Sequence, residues 1–228
     1  MRKNQVTLMW PTYIGEFYNP KHDEIKKDLL KFFEDYKKNN ENSRKGGTVH
    51  SPDDGIEKEN YKIDQDLYMS KYDLHSEKNK TYQDLMSFIS QGFIEMASKA
   101  NETERKDLKF NKENLKVVIN DSWFIDYKTG GFVLPHTHPR CSWNCVYYVQ
   151  VGDDANSSNG STFFQKSRPE NHTNDFGSKY NEQTMLKLKP AEGKLVIWPQ
   201  YVSHGSMPYK GENNRIIVSA NALIKNSN

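Results

Sequence analysis

Two periodicities divide the chain. Ile25, Leu29, Phe32, Phe33 and Tyr36 recur at helical spacing between Lys, Asp and Glu, which predicts an amphipathic helix over residues 20–38. Asn19-Pro20 ahead of it offers an N-cap followed by proline at the first helical position. Leu85, Phe88, Ile89, Phe93 and Met96 predict a second helix over residues 81–99, with Thr81 and Asp84 as a capping box. From Leu115 onward the pattern becomes that of strands, expected over 115–127, 131–135, 141–151, 161–166, 184–189, 194–198 and 214–224. Gly130-Gly131, Gly152-Asp153-Asp154, Asn159-Gly160 and Glu192-Gly193 punctuate them. A first short strand is expected from Val6 to Trp10, and the breaker-rich residues 39–80 read as a long loop.

Helices followed by many short strands predict a mainly β fold with flanking helices. The length of 228 residues suits a single domain, with 1–110 as helical support and polar loop and 111–228 as the β core. Basic and acidic residues nearly balance at a net charge of +2, so no nucleic-acid surface is indicated. Aromatics make up 12% of the chain although mean hydropathy is −0.93, which points to a modest aromatic core beneath a charged surface. No apolar run approaches the roughly 18 residues of a membrane span, and no signal-like core follows Met1. A cytoplasmic protein (host cytoplasm if phage-encoded) with reduced Cys141 and Cys145 is expected. Homo-oligomerisation stays open.

The candidate chemistry lies in three histidines. His136 and His138 are two apart, so on a strand both side chains leave the same face. His204 follows the run Leu195–Pro199 and meets them if those strands are neighbours. Three protein ligands leave coordination positions open for dioxygen and a co-substrate, as in oxygen-activating iron sites. Cys141 and Cys145 with the same histidines offer a zinc set, but their spacing does not match zinc modules. His22, His50, His75 and His172 fall in the first helix or polar loops and read as solvent-facing. Arg215 opens the apolar run Ile216-Ile217-Val218, where a buried cation calls for an anionic partner: either a protein carboxylate or an acidic co-substrate. Trp123, Tyr148, Phe163 and Trp198 are candidates to line a pocket or to fill the core.

His136-x-His138, Cys145–Val149, Gly193–Pro199, His204 and Arg215–Asn221 together resemble the iron(II)- and 2-oxoglutarate-dependent oxygenases, in particular a prolyl-hydroxylase-like branch found in bacteria and phages. The resemblance implies a double-stranded β-helix, or jelly roll. It implies Fe(II), 2-oxoglutarate and O2 as cofactor and co-substrates, with a small-molecule or peptidyl substrate oxidised as succinate and CO2 are released. His136 and His204 would be iron ligands, Arg215 would hold the distal carboxylate of 2-oxoglutarate, and Tyr147 would assist from the neighbouring strand. Tyr127 lies near where such enzymes place another pocket tyrosine. The family usually carries His-x-Asp or His-x-Glu. Here either His138 completes a three-histidine set, or a carboxylate arrives from elsewhere, with Asp126, Asp153 and Asp154 the nearest. Ile217 stands where such enzymes often place a serine. Two alternatives remain: a three-histidine cupin-like dioxygenase that uses no 2-oxoglutarate, and a non-catalytic metal-binding barrel.

Overall fold

The computed structural model describes residues 11–40, 67–105, 112–152, 154–166, 177 and 183–226. In chain order the elements are β1 (Gly15–Tyr18), α1 (His22–Asn39), β2 (Leu67–Met69), α2 (Lys80–Glu104), β3 (Leu115–Tyr127), β4 (Val133–His136), β5 (Trp143–Gln150), β6 (Thr162–Gln165), β7 (Met185–Leu188), β8 (Lys194–Pro199), β9 (His204–Ser206) and β10 (Arg215–Asn226). Ten strands form two antiparallel sheets, one ordered β1-β8-β5-β10-β3-β2 and the other β4-β9-β6-β7. Both helices lie on the outer face of the larger sheet, and the smaller sheet faces its inner side. This is the mainly β fold with flanking helices expected from the strand pattern, in the jelly-roll form that the resemblance implies.

The central strands are buried on both faces, and period-two alternation decides which side chain goes where. On the outer face Phe124, Cys145, Tyr147, Val149, Leu195, Ile197 and Val218 pack against Leu29 and Phe33 of α1 and Tyr82, Leu85, Ile89 and Phe93 of α2. Phe33 stacks on Phe124 with ring centroids 4.4 Å apart, and the Tyr82 hydroxyl donates to Ser122 Oγ at 3.0 Å. On the inner face Trp123, Ile125, Tyr127, Val146, Tyr148, Val196, Trp198 and Ile217 meet Val133, Phe164, Leu188 and Val202 from the other side of the roll. A run such as Cys145–Val149 is therefore continuously apolar because it serves two cores at once.

The expected long strands and both helices are present, with ends displaced by a few residues. Several finer expectations are corrected. The strand expected at Val6–Trp10 lies outside the described residues. The first described strand is Gly15–Tyr18, an edge strand on β8. Asn19 is not the N-cap of α1. Lys21 takes that place, while Asn19 Oδ1 accepts from the Lys21 amide at 3.0 Å and the Asn19 carbonyl from the His22 amide at 3.2 Å. The cap of α2 is Asn79, whose side chain accepts from the Tyr82 amide, rather than Thr81. Within the stretch 39–80 read as loop, Leu67–Met69 form an edge strand on β3, its Leu67 and Met69 side chains buried in the inner core.

His22 is likewise not solvent-facing. It is buried at the start of α1 against β5, with Nδ1 2.7 Å from the Tyr147 hydroxyl and Nε2 3.7 Å from Glu192. Burial lowers its pKa from the ordinary value near 6.5, against the upward pull of Glu192 and Asp23, while Lys26 reinforces the lowering. As pH falls through about 6.5 the unfolded chain takes up the proton first, so this residue makes stability fall with acidification below that pH. The melting temperature of the wild-type protein is therefore expected to drop more steeply below pH 6.5 than that of His22→Gln. Parallel curves in a melting series from pH 7.5 to 5.0 would contradict this role.

Candidate metal centre and cavity

β4 and β9 pair with His136 opposite His204, and two residues on from His136 the chain turns His138 toward the same point. The ligand-capable nitrogens of His136, His138 and His204 all lie within 4.8 Å of one another. His138 Nε2 and His204 Nε2 are 3.2 Å apart. Two nitrogens about 2.1 Å from one ion and at right angles stand about 3 Å apart, so this spacing suits cis ligands on a single metal. His136 Nδ1 lies 2.8 Å from the Leu134 carbonyl and His204 Nδ1 2.9 Å from the Val202 carbonyl. A carbonyl can only accept, so both contacts place the imidazole proton on Nδ1 and leave Nε2 with a lone pair toward the centre. Trp198 Nε1 also lies 3.2 Å from His204 Nδ1. Both groups donate once the proton is on Nδ1, and the shorter carbonyl contact prevails.

Burial drives all three imidazoles toward the neutral form that metals require. His138 is lowered to about 3, by desolvation first and then by His136; His136 is lowered by desolvation; and His204 is lowered well below its ordinary value by desolvation and both neighbours. Two facing lone pairs at 3.2 Å repel unless a cation or a proton lies between them. The donor set thus fits a metal ion.

No carboxylate joins the three histidines among the described residues. Asp126 points to the outer face and pairs with Lys37 of α1. Asp154 sits in an exposed turn with φ 50°, and Asp153 lies outside the described residues. His50 and His172 lie outside them as well. Cys141 and Cys145 are free and take no part in the cluster.

The histidines open onto a cavity of about 760 Å³ between the sheets. At one end Arg215 is only 1% exposed, and its Nε and Nη1 have no hydrogen-bond partner among the described residues. Its guanidinium lies 4.3 Å from the ring centre of Tyr127 and 5.5 Å from that of Tyr148. The Tyr148 hydroxyl donates to Thr162 Oγ1 at 2.7 Å. Gly160, at φ 65°, backs this group: a Cβ there would lie 2.9 Å from Arg215 Cδ. The structural ion pair weighed as an alternative for Arg215 is not found among the described residues.

Tyr127 lines the cavity beside Arg215, and Tyr147 lies on the other face of its sheet. Odd-numbered β5 residues face the helices, so Tyr147 meets His22 and Asn19, and Tyr148 is the tyrosine of β5 that lies beside Arg215. Trp123 and Trp198 line the cavity, with Trp123 stacked on His138 at 5.8 Å. Phe163, paired with Gly205, is on the far face of the smaller sheet. Asp121, Thr162, Ser219 and Asn221 also line the cavity and carried no signal in the sequence.

Residues 121–221 match the family described as "Putative 2OG-Fe(II) oxygenase". That stretch, a little under half of the chain, includes all three histidines and Arg215. No curated protein matches the sequence. Among solved structures the fold is similar to a prolyl hydroxylase from Trichoplax adhaerens in complex with a hypoxia inducible factor oxygen degradation domain peptide, at 10% identity and a TM-score of 0.57 over 92% of this chain and 83% of that one. It is similar to a Pseudomonas putida prolyl-4-hydroxylase, at 11% identity and 0.54 over 92% and 91%. It is also similar to HygX from Streptomyces hygroscopicus with nickel and 2-oxoglutarate bound, at 9% identity and 0.54 over 92% and 82%. At these identities the likeness is one of fold. No helix among the described residues is long and apolar enough to cross a membrane.

The packing of β9 against β4 yields a test. A Cβ on Gly205 would lie 2.6 Å from the Val133 carbonyl and 2.7 Å from the Phe163 ring. Gly205→Ala is expected to cost about 1–3 kcal/mol of stability by overpacking. It should also weaken metal binding by parting His136 from His204. Denaturant melts and iron(II) titration together check it; an unchanged metal affinity would separate this contact from the site.

Proposed function

We propose that the protein is an iron(II)- and 2-oxoglutarate-dependent dioxygenase of the hydroxylase type, acting as one domain over residues 1–228. The observation that carries the reading is the buried guanidinium of Arg215, with two unpartnered nitrogens in a cavity headed by three neutral imidazoles. A desolvated cation without an anion is costly, and a carboxylate that binds it bidentately removes the cost. A dicarboxylate co-substrate has the shape to reach from Arg215 toward the histidines.

In this reading His136, His138 and His204 hold iron(II), and the carbonyls of Leu134 and Val202 fix the tautomers of His136 and His204. Arg215 binds the distal carboxylate between Tyr127 and Tyr148, with the Thr162–Tyr148 hydroxyl pair beside it. Iron(II) with 2-oxoglutarate supplies the chemistry: dioxygen is reduced by four electrons, two from decarboxylation to succinate and CO2 and two from a substrate C–H bond that becomes C–OH. Val133, Ile125 and Ile217 give the cavity apolar wall between its polar groups.

The three-histidine set also favours a cupin-like dioxygenase that takes no keto acid, but that reading leaves Arg215 without a task. Anaerobic titration of the iron(II)-loaded protein with 2-oxoglutarate separates the two. The expected outcome is a visible metal-to-ligand charge-transfer band that is lost in Arg215→Ala and His204→Ala. Bound iron without a band would point to the keto-acid-independent enzyme, and no bound iron to a non-catalytic barrel.

Two further outcomes are expected. Arg215→Leu should leave the melting temperature of the ligand-free protein level or raised, because an unpaired buried charge is removed, and should abolish the rise caused by 2-oxoglutarate. His138→Ala should lose iron, whereas His138→Asp should retain it as a two-histidine, one-carboxylate set. Wild-type iron affinity in His138→Ala would place the third ligand elsewhere.

A further inference from the structure

The cavity has a second polar end that the oxygenase reading does not use. β3 and β10 pair Tyr127 with Arg215, Trp123 with Ser219 and Asp121 with Asn221. The histidines sit over the middle of this ladder, since Trp123 stacks on His138. Asp121 lies two strand positions beyond Trp123 on the side away from Arg215, on the order of 6–7 Å along the strand.

A β-bulge builds this end. The register shifts between Asn221 and Ala222, leaving Asn120 as the extra residue, and Asn120 and Asp121 both line the cavity. Asn120 Nδ2 is tied to the Arg140 carbonyl at 2.7 Å, which anchors the bulge to the turn beyond His138. Asn221 Nδ2 donates to Asp121 Oδ2 at 3.0 Å, and that bond orients the amide so that its Oδ1 is left free. Asn221 is 6% exposed, its Oδ1 has no hydrogen-bond partner, and it lines the cavity. Trp123 Nε1, on a side chain also 6% exposed, is a buried donor with no partner. Arg140, exposed at the same mouth, forms no ion pair with Asp121 among the described residues.

We propose that Asp121 and Asn221 form a substrate subsite for a cationic N–H donor, an ammonium or guanidinium group. Two neighbouring side chains of the cavity wall each offer an acceptor, one of them a carboxylate. An anionic group there is repelled and a neutral one leaves the carboxylate without a counter-charge, whereas a cation with several N–H groups satisfies both acceptors. The indole N–H of Trp123 is left for an acceptor on the same molecule. Arg215 and Asp121 thus give the cavity opposite poles, a cation for the co-substrate and an anion for the substrate, with the histidines between. The subsite rests on the oxygenase reading only for which carbon is oxidised.

The test uses the full chain and simple probes. Saturation-transfer NMR compares n-butylammonium and n-butylguanidinium with n-butanol, n-butylurea and pentanoate. Both cations are expected to bind at least tenfold tighter than the neutral probes. Asp121→Asn should abolish that preference, and Asn221→Leu should reduce it. Asp121→Ser serves as the second variant if the asparagine form does not fold. Cations that bind no better than the neutral probes, or a preference that survives both Asp121 variants, would overturn the subsite. A 2-oxoglutarate melting shift on the same samples keeps the two readings apart. Cation preference without that shift sustains the subsite and sinks the oxygenase reading; the shift without cation preference does the reverse.

Discussion

A strand buried on both faces has no indifferent direction in which to send a side chain, and the site depends on that constraint. β10 and β3 run side by side through the middle of the larger sheet, and every residue between Phe124 and Tyr127 or between Arg215 and Val218 enters one core or the other. The outer core locks the strands to two helices through rings such as Phe33, Phe124 and Tyr82. The inner face is then free to carry groups that do not favour burial. Arg215, Asn221 and Ser219 are held there by a scaffold whose packing energy comes from the opposite side. A register slip of one residue would send Arg215 into the helices and Ile216 into the cavity.

Desolvation runs through the chemistry in two senses. It keeps three imidazoles neutral, so that their lone pairs are available without competing protons, and two backbone carbonyls choose which nitrogen presents the lone pair. It also makes the Arg215 charge hungry for an anion, because the two tyrosine rings near it supply only quadrupole attraction. One burial therefore leaves three neutral imidazoles and an unpaired cation along the same cavity.

Much of this was legible in the sequence, and the reasons it stopped are physical. Helices α1 and α2 show in their periodicity because each packs one face on the sheet, and the long strands show as apolar runs because both of their faces are buried. The histidines and Arg215 show because their residue types are rare in apolar runs. Tyr147 and Tyr148 could not be told apart by the same logic: Cys145–Val149 is apolar at every position, so alternation reveals two faces without saying which one meets the cavity. Leu67–Met69 is too short to carry a period. His22 looked like a helix-surface residue, but its burial comes from β5 and the turn before β8, contacts that lie far along the chain. The Asp121–Asn221 pair arises from a bulge, and one extra residue in a strand leaves no mark in composition.

The bulge also explains why the two ends of the cavity differ in kind. Toward Arg215 the β3–β10 register is regular, pairing tyrosine with arginine across one rung, and the guanidinium is sealed among rings. Toward Asp121 the register breaks, two consecutive residues turn to the cavity, and the partly exposed mouth is reached. A sealed end suits a co-substrate of fixed shape that every turnover uses. An open end, built from hydrogen-bonding side chains on a distorted strand, suits a partner whose identity distinguishes one such enzyme from another. Under the proposed reading the sealed pole serves the co-substrate and the open pole the substrate, so specificity is to be sought at Asp121 and Asn221 rather than at Arg215.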